Sequence, residues 1–107
     1  MMSNRRNISG DVVLDWFFDS FVQSETVVVE ITGNVNFAFK DPTPGQRLLL
    51  LVEVSESVNG TAKINFPEST WTERGTSFNI TPGYVGIYEF VCINERTIVL
   101  TNAKQVS

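Results

Sequence analysis

Val27-Val28-Val29-Glu30-Ile31-Thr32-Gly33-Asn34-Val35-Asn36-Phe37-Ala38-Phe39 is the stretch on which the reading of the fold turns. A β-strand points successive side chains to opposite faces. Val27, Val29 and Ile31 therefore share one face, and Val35, Phe37 and Phe39 share another. Between them stand Thr32-Gly33-Asn34, residues suited to turns. A three-residue loop would set Ile31 opposite Val35, Val29 opposite Phe37 and Val27 opposite Phe39. A two-residue loop would set Ile31 opposite Asn36, and a slip of one residue sends a whole strand to the wrong face. The spacing predicts a hairpin with the three-residue loop.

The same test applies at Asn59-Gly60. A loop over Val58-Asn59-Gly60 sets Val54 opposite Ile64 and Val52 opposite Phe66, which predicts a type I turn with a bulge and Gly60 at positive φ. Short β-branched and aromatic runs continue on either side, giving candidate strands at Val12–Phe18, Thr26–Ile31, Val35–Phe39, Arg47–Ser55, Ala62–Phe66, Ser77–Ile80, Gly86–Ile93 and Thr97–Thr101. Val12–Val22 is too densely apolar to show a helical period, and its Trp, Phe and Val favour strand. The expectation is an all-β protein: a single antiparallel, jelly-roll-like β-sandwich of about eight short strands over residues 11–107. The polar residues 1–10 form an N-terminal arm, with Arg5 and Arg6 as its candidate docking residues.

Composition narrows the function. The chain has 107 residues, 42% hydrophobic and 19% charged, the profile of one ordinary globular domain. Its formal net charge is -4 and its basic residues do not cluster beyond Arg5-Arg6, so no nucleic acid is expected as a partner. No run is long enough for a membrane helix, and Asp11, Asp15 and Asp19 interrupt any signal-like segment. Synthesis in a cytoplasm without general secretion is expected. With no histidine, a Ser-His-Asp or Cys-His arrangement cannot be built. A lone cysteine, Cys92, in an apolar run reads as a core thiol. Neither a zinc-ligand pattern nor a phosphate-cradling glycine loop is present. The expectation is a protein that is not an enzyme and needs no metal or cofactor. A glycosidase-like pair of carboxylates needs only two residues, and the sequence locates no such pair.

Two strands are apolar on both faces. Leu48–Val52 is one, and Gly86–Ile93 presents Tyr88, Phe90 and Cys92 on one side and Ile87, Val91 and Ile93 on the other. Such strands fit either a subunit interface, with Leu49, Leu51, Ile87, Val91 and Ile93 as its candidates, or burial under the N-terminal segment. Trp16, Trp71, Tyr84 and Tyr88 are either core aromatics or a sugar-stacking platform. Trp71, in the polar stretch Glu68-Ser69-Thr70-Trp71-Thr72, is the best candidate for an exposed contact.

The order of motifs from Thr26 to Phe90 resembles a β-sandwich domain that recurs in tailed-phage virion proteins, such as tail fibres, head fibres and minor tail or decoration proteins. The residues that carry the resemblance are Gly33-Asn34 before Val35-Asn36-Phe37-Ala38-Phe39, then Pro42-Thr43-Pro44-Gly45 before the Leu48–Val54 run. Asn59-Gly60 and Ile64-Asn65-Phe66-Pro67 follow, then Trp71 and Gly75, and finally Thr81-Pro82-Gly83 before Ile87-Tyr88-Glu89-Phe90. Gly86 stands where that family often has Asp, and Thr97–Thr101 lacks its frequent Trp. The resemblance implies a non-catalytic structural protein of the virion that forms a homotrimer. It further implies docking onto the major capsid or tail protein. The alternative is a carbohydrate- or receptor-binding module that contacts a host surface glycan.

Overall fold

The computed structural model describes residues 5–15, 24–40, 43–94 and 96–107. Among them the chain is all-β, with seven strands: β1 (Arg5–Asp15), β2 (Ser24–Lys40), β3 (Arg47–Val54), β4 (Ala62–Asn65), β5 (Ser77–Ile80), β6 (Val85–Asn94) and β7 (Thr97–Val106). They form one mixed sheet in the order β5-β4-β2-β3-β6-β7, with β1 on the other side of β2. β2 runs parallel to β1, β3 and β4, whereas β3/β6, β4/β5 and β6/β7 are antiparallel. This corrects the expectation of an antiparallel, jelly-roll-like sandwich of about eight strands.

The correction begins at the stretch that opened the reading. Thr32-Gly33-Asn34 is not a turn, and β2 passes straight through it as a single strand of 17 residues. The alternation holds across the whole length: Val29, Ile31, Val35 and Phe37 are buried and Phe39 packs against them. A straight strand of this length would extend about 56 Å at ~3.3 Å per residue, yet the longest dimension of the molecule is 40 Å. β2 therefore bends. The ladder to β1 shifts between Ile8 and Gly10, so that Thr32, Gly33 and Asn34 stand against Ser9 alone. Extra residues on one strand of a pair bend it and sharpen its twist. At that bend β2 changes neighbours, from β3 along Ser24–Ile31 to β4 at Val35 and Asn36.

The expected Val58-Asn59-Gly60 hairpin fails for the same reason. β3 and β4 do not pair with each other; they lie one after the other along the same edge of β2. The backbone bond from Ser55 N–H to the Ile31 carbonyl (2.9 Å) carries the chain out of β3. The Asn34 side-chain carbonyl then receives the Lys63 N–H at 2.9 Å, at the start of β4. Gly60 nevertheless has φ of +80°, the left-handed conformation the sequence required of it.

The N-terminal boundary also moves. Arg5–Gly10, expected as an arm, is the first half of β1 and pairs with β2. The strand expected at Val12–Phe18 is thus extended backwards, and its residues 16–18, Trp16 included, lie outside the described residues. β7 runs on past Thr101 to Val106. A bulge at Thr101 shifts the register against β6, which is why Ile98, Leu100 and then Ala103 face the core. Its hydroxyl donates to the Glu89 carbonyl at 3.2 Å and to the Glu89 carboxylate at 2.8 Å.

The interior is organised around Phe66. Its ring lies 5.5 Å from Phe37, 4.9 Å from Phe90, 5.3 Å from Tyr88 and 6.0 Å from Phe78, centroid to centroid. Residues from β2, β5 and β6 thus meet on one side chain just beyond β4. Edge-to-face aromatic pairs add about 0.5–1.5 kcal/mol to what area burial alone contributes. Phe39, near the far end of β2, reaches Phe90 at 5.1 Å, which brings the end of the bent strand back across the interior. Cys92 is buried, as its apolar run implied.

The two ends of the strand order meet and nearly close the sheet into a barrel. Trp71 forms a parallel bridge with Val99 of β7. Its N–H donates to the Ile98 carbonyl and its carbonyl accepts from Leu100 N–H, both at 2.8 Å. On the same seam, the Gln105 side-chain amide of β7 donates to the Asn79 carbonyl of β5 at 3.3 Å. This bridge covers part of the β7 edge, and an open edge otherwise invites pairing with other chains.

Candidate functional site

Two surfaces gather the residues singled out from the sequence. The first is the outer face of β2, β3 and β6. Its register is fixed by the ladders: Val28 lies beside Leu51, and Leu51 lies opposite Ile87. Thr26, Leu49 and Glu89 form the adjoining row, and Arg47 and Val91 the next. Leu49, Leu51, Ile87 and Val91 are each half-buried, while Ile93, near the end of β6, is 56% exposed. The structure thus brings the first four onto one face, with Ile93 at its margin. Arg5 and Arg6 lie at the start of β1, in register with Val28 and Val29. The apolar rows end at Glu30 and Glu53, which stand side by side in the β2/β3 ladder.

These two carboxylates, with Glu56 and Tyr84, line a concavity of about 480 Å³. Among the described residues it is a concavity that sets two carboxylates side by side, as a glycoside-hydrolysing cleft requires. Hydrolysis divides its two carboxylates between an apolar wall and a solvated position. Glu30 and Glu53 are neighbours in the ladder and both half-exposed. Among the described residues no group of three or more Cys, Asp or Glu side chains is placed to hold a metal ion, and no helix is long and apolar enough to cross a membrane.

The second surface is the barrel seam at Trp71. The indole is 69% exposed, although its backbone is locked into β7 on both sides. The segment leading to it is braced by Thr70 N–H to the Pro67 carbonyl (2.9 Å), and the segment leaving it by Arg74 N–H to the Thr72 hydroxyl (2.9 Å). Beside the ring lies a concavity of about 340 Å³ lined by Trp71, Thr72, Glu73, Arg74, Val99, Leu100 and Thr101. The Arg74 guanidinium is tethered to the Ala103 carbonyl at 3.5 Å. Sequence reasoning found Trp71 from its polar neighbours. It missed Glu73, Arg74 and Thr101 as its companions, because the bridge to β7 that unites them is a long-range contact with no local signal.

The other aromatics separate. Tyr84 is 40% exposed at the rim of the acidic concavity, whereas Tyr88 is buried in the barrel. Burial pushes the Tyr88 phenol up to about 12 from its ordinary value near 10. Its ring lies over Gly86, where an added Cβ would come within 2.7 Å of Tyr88 and 2.8 Å of Ile80. That contact leaves no room for a larger side chain at this position. With this geometry established, comparison with protein-family models, with curated proteins and with solved structures finds no match to any of them.

Proposed function

We propose that this protein is a non-enzymatic structural component of a tailed-phage virion, a decoration, head-fibre or tail-accessory protein that self-associates through the outer face of β2, β3 and β6. The observation that carries the self-association is the row Val28–Leu51–Ile87, flanked by Leu49 and Val91. A sheet face that meets only water alternates apolar-in with polar-out. Here Val28, Leu49, Leu51, Ile87 and Val91 point outward as well, an apolar patch interspersed with Thr26, Arg47 and Glu89, in keeping with a subunit interface that has an apolar core and a polar rim. The virion assignment draws on the motif order from Gly33 to Phe90, and a homotrimer is the form that resemblance implies. In this reading the protein is made in the host cytoplasm and resides in the particle. Arg5 and Arg6 at the start of β1 are the contact with the major capsid or tail protein.

Light scattering on the purified chain tests the reading. The expected mass is that of a trimer, and Leu51→Lys, at the centre of the row, is expected to give a monomer with an unchanged far-UV spectrum. A wild-type chain that stays monomeric at every concentration, alone and when mixed with phage particles lacking it, rules the proposal out.

A further inference from the structure

We infer that the Trp71 concavity is a sugar-binding subsite that accepts one or two pyranose units of a surface glycan. The site lies on the barrel seam, and its existence does not depend on self-association through the outer sheet face.

Displaying an indole to water is costly. Trp is a large apolar side chain that folding normally packs away. An exposed Trp on a loose loop needs no explanation, because the loop follows solvent and entropy. Trp71 is different: its N–H and carbonyl both bond to β7 at 2.8 Å, so its backbone is fixed on the seam of the nearly closed barrel while its side chain is 69% exposed. A rigid aromatic surface loses little conformational freedom when something flat settles on it.

The surroundings select what that something is. A pyranose has one apolar face of C–H groups and a belt of hydroxyls, each both donor and acceptor. The indole offers the flat apolar floor. Glu73 offers acceptors and Arg74 offers donors from two and three positions along the chain, and Thr101 of β7 also lines the concavity. Arg74 also reaches the Ala103 carbonyl at 3.5 Å, which places its guanidinium beside β7. One acidic and one basic group leave the rim without net charge, which suits a neutral sugar better than a phosphate or a polyanion. The volume of about 340 Å³ is at the small end of ligand pockets, about 300–1,000 Å³, and suits a short glycan unit better than a long ligand.

The test is an NMR titration of the full-length, ¹⁵N-labelled protein with the methyl glycosides of glucose, galactose, mannose and N-acetylglucosamine. The sequence has two indoles, and Trp71→Phe assigns their N–H signals. At least one glycoside is expected to move the Trp71 signal saturably while the Trp16 signal stays in place. Trp71→Ala is expected to weaken that binding by roughly tenfold or more, and Glu73→Gln with Arg74→Gln by a smaller factor. Melting temperature and solution mass of these variants are expected to stay at the wild-type values, so that a lost sugar response is separable from lost folding or assembly. A Trp71 signal unmoved by all four glycosides overturns the inference. So does a Trp71 signal that responds to a proline-rich peptide instead.

Discussion

β2 and the β6–β7 hairpin start from similar local signals and end in opposite structures. In β2 the apolar runs flank Thr32-Gly33-Asn34, and in β6–β7 they flank Asn94-Glu95-Arg96. There the chain turns back: Arg96 N–H donates to the Asn94 side chain at 2.9 Å, and β7 returns antiparallel along β6. The first trio only bends it, because each half of β2 is claimed by other strands. β1 takes one side of both halves, β3 takes the other side of the first and β4 that of the second. Asn34 is used in both readings, but its side chain caps the Lys63 N–H of β4 instead of closing a loop. Turn residues therefore mark where a chain can change direction, and the strands available to either side decide whether it does.

The largest expected effect comes from removing what holds the second half of β2 in place. Phe66→Ala leaves a cavity between Phe37, Tyr88 and Phe90 and is expected to cost about 3–5 kcal/mol in denaturant unfolding. Native-state hydrogen exchange would sharpen the comparison. Protection is expected to fall first at Val35–Phe39 and later in the β6–β7 ladder. Equal loss in both would mean that the bend in β2 does not depend on this packing.

Next in size is Gly86→Ala on β6. The added methyl group meets Tyr88 and Ile80 inside van der Waals distance, and overpacking of this kind costs about 1–3 kcal/mol. The melting temperature should fall, and a variant as stable as the wild type would show that the barrel interior gives way easily. The same tyrosine makes stability pH-dependent. Its phenol holds its proton more tightly folded, at about 12, than unfolded, near 10. The stabilisation is complete below pH 10 and declines as pH rises from about 10 through 12. Urea midpoints across that window should fall in the wild type and fall less steeply in Tyr88→Phe.

The smallest effect is the most discriminating. Gly33 lies inside β2 and is not among the positive-φ glycines. The nearest heavy atom to its added Cβ is Ser9 Cβ at 3.9 Å. Gly33→Ala is thus expected to change stability by no more than about 0.5 kcal/mol, with stabilisation the more natural sign. Gly60→Ala, at φ of +80°, is expected to cost about 1–2 kcal/mol. Equal costs at the two positions would restore the turn at 32–34.

Local chemistry is legible in this chain. Period-two alternation marked the buried faces of β2, β3 and β6. Residue type marked β5 at its observed bounds, the left-handed Gly60, the core position of Cys92 and the exposure of Trp71. Connectivity is not legible, because alternation is the same in a strand that pairs parallel, pairs antiparallel or changes partners midway. Whether Ile31 and Val35 face each other across a hairpin or follow one another along one strand depends on β1, β3 and β4, which are distant in sequence. The setting of Trp71 has the same origin. The sequence by itself determined which side chains leave water and where glycine is needed, since those depend on each residue and its neighbours. Only the tertiary structure decided which strands pair, where β2 bends and what surrounds Trp71, since those depend on competition among long-range partners for the same backbone hydrogen bonds.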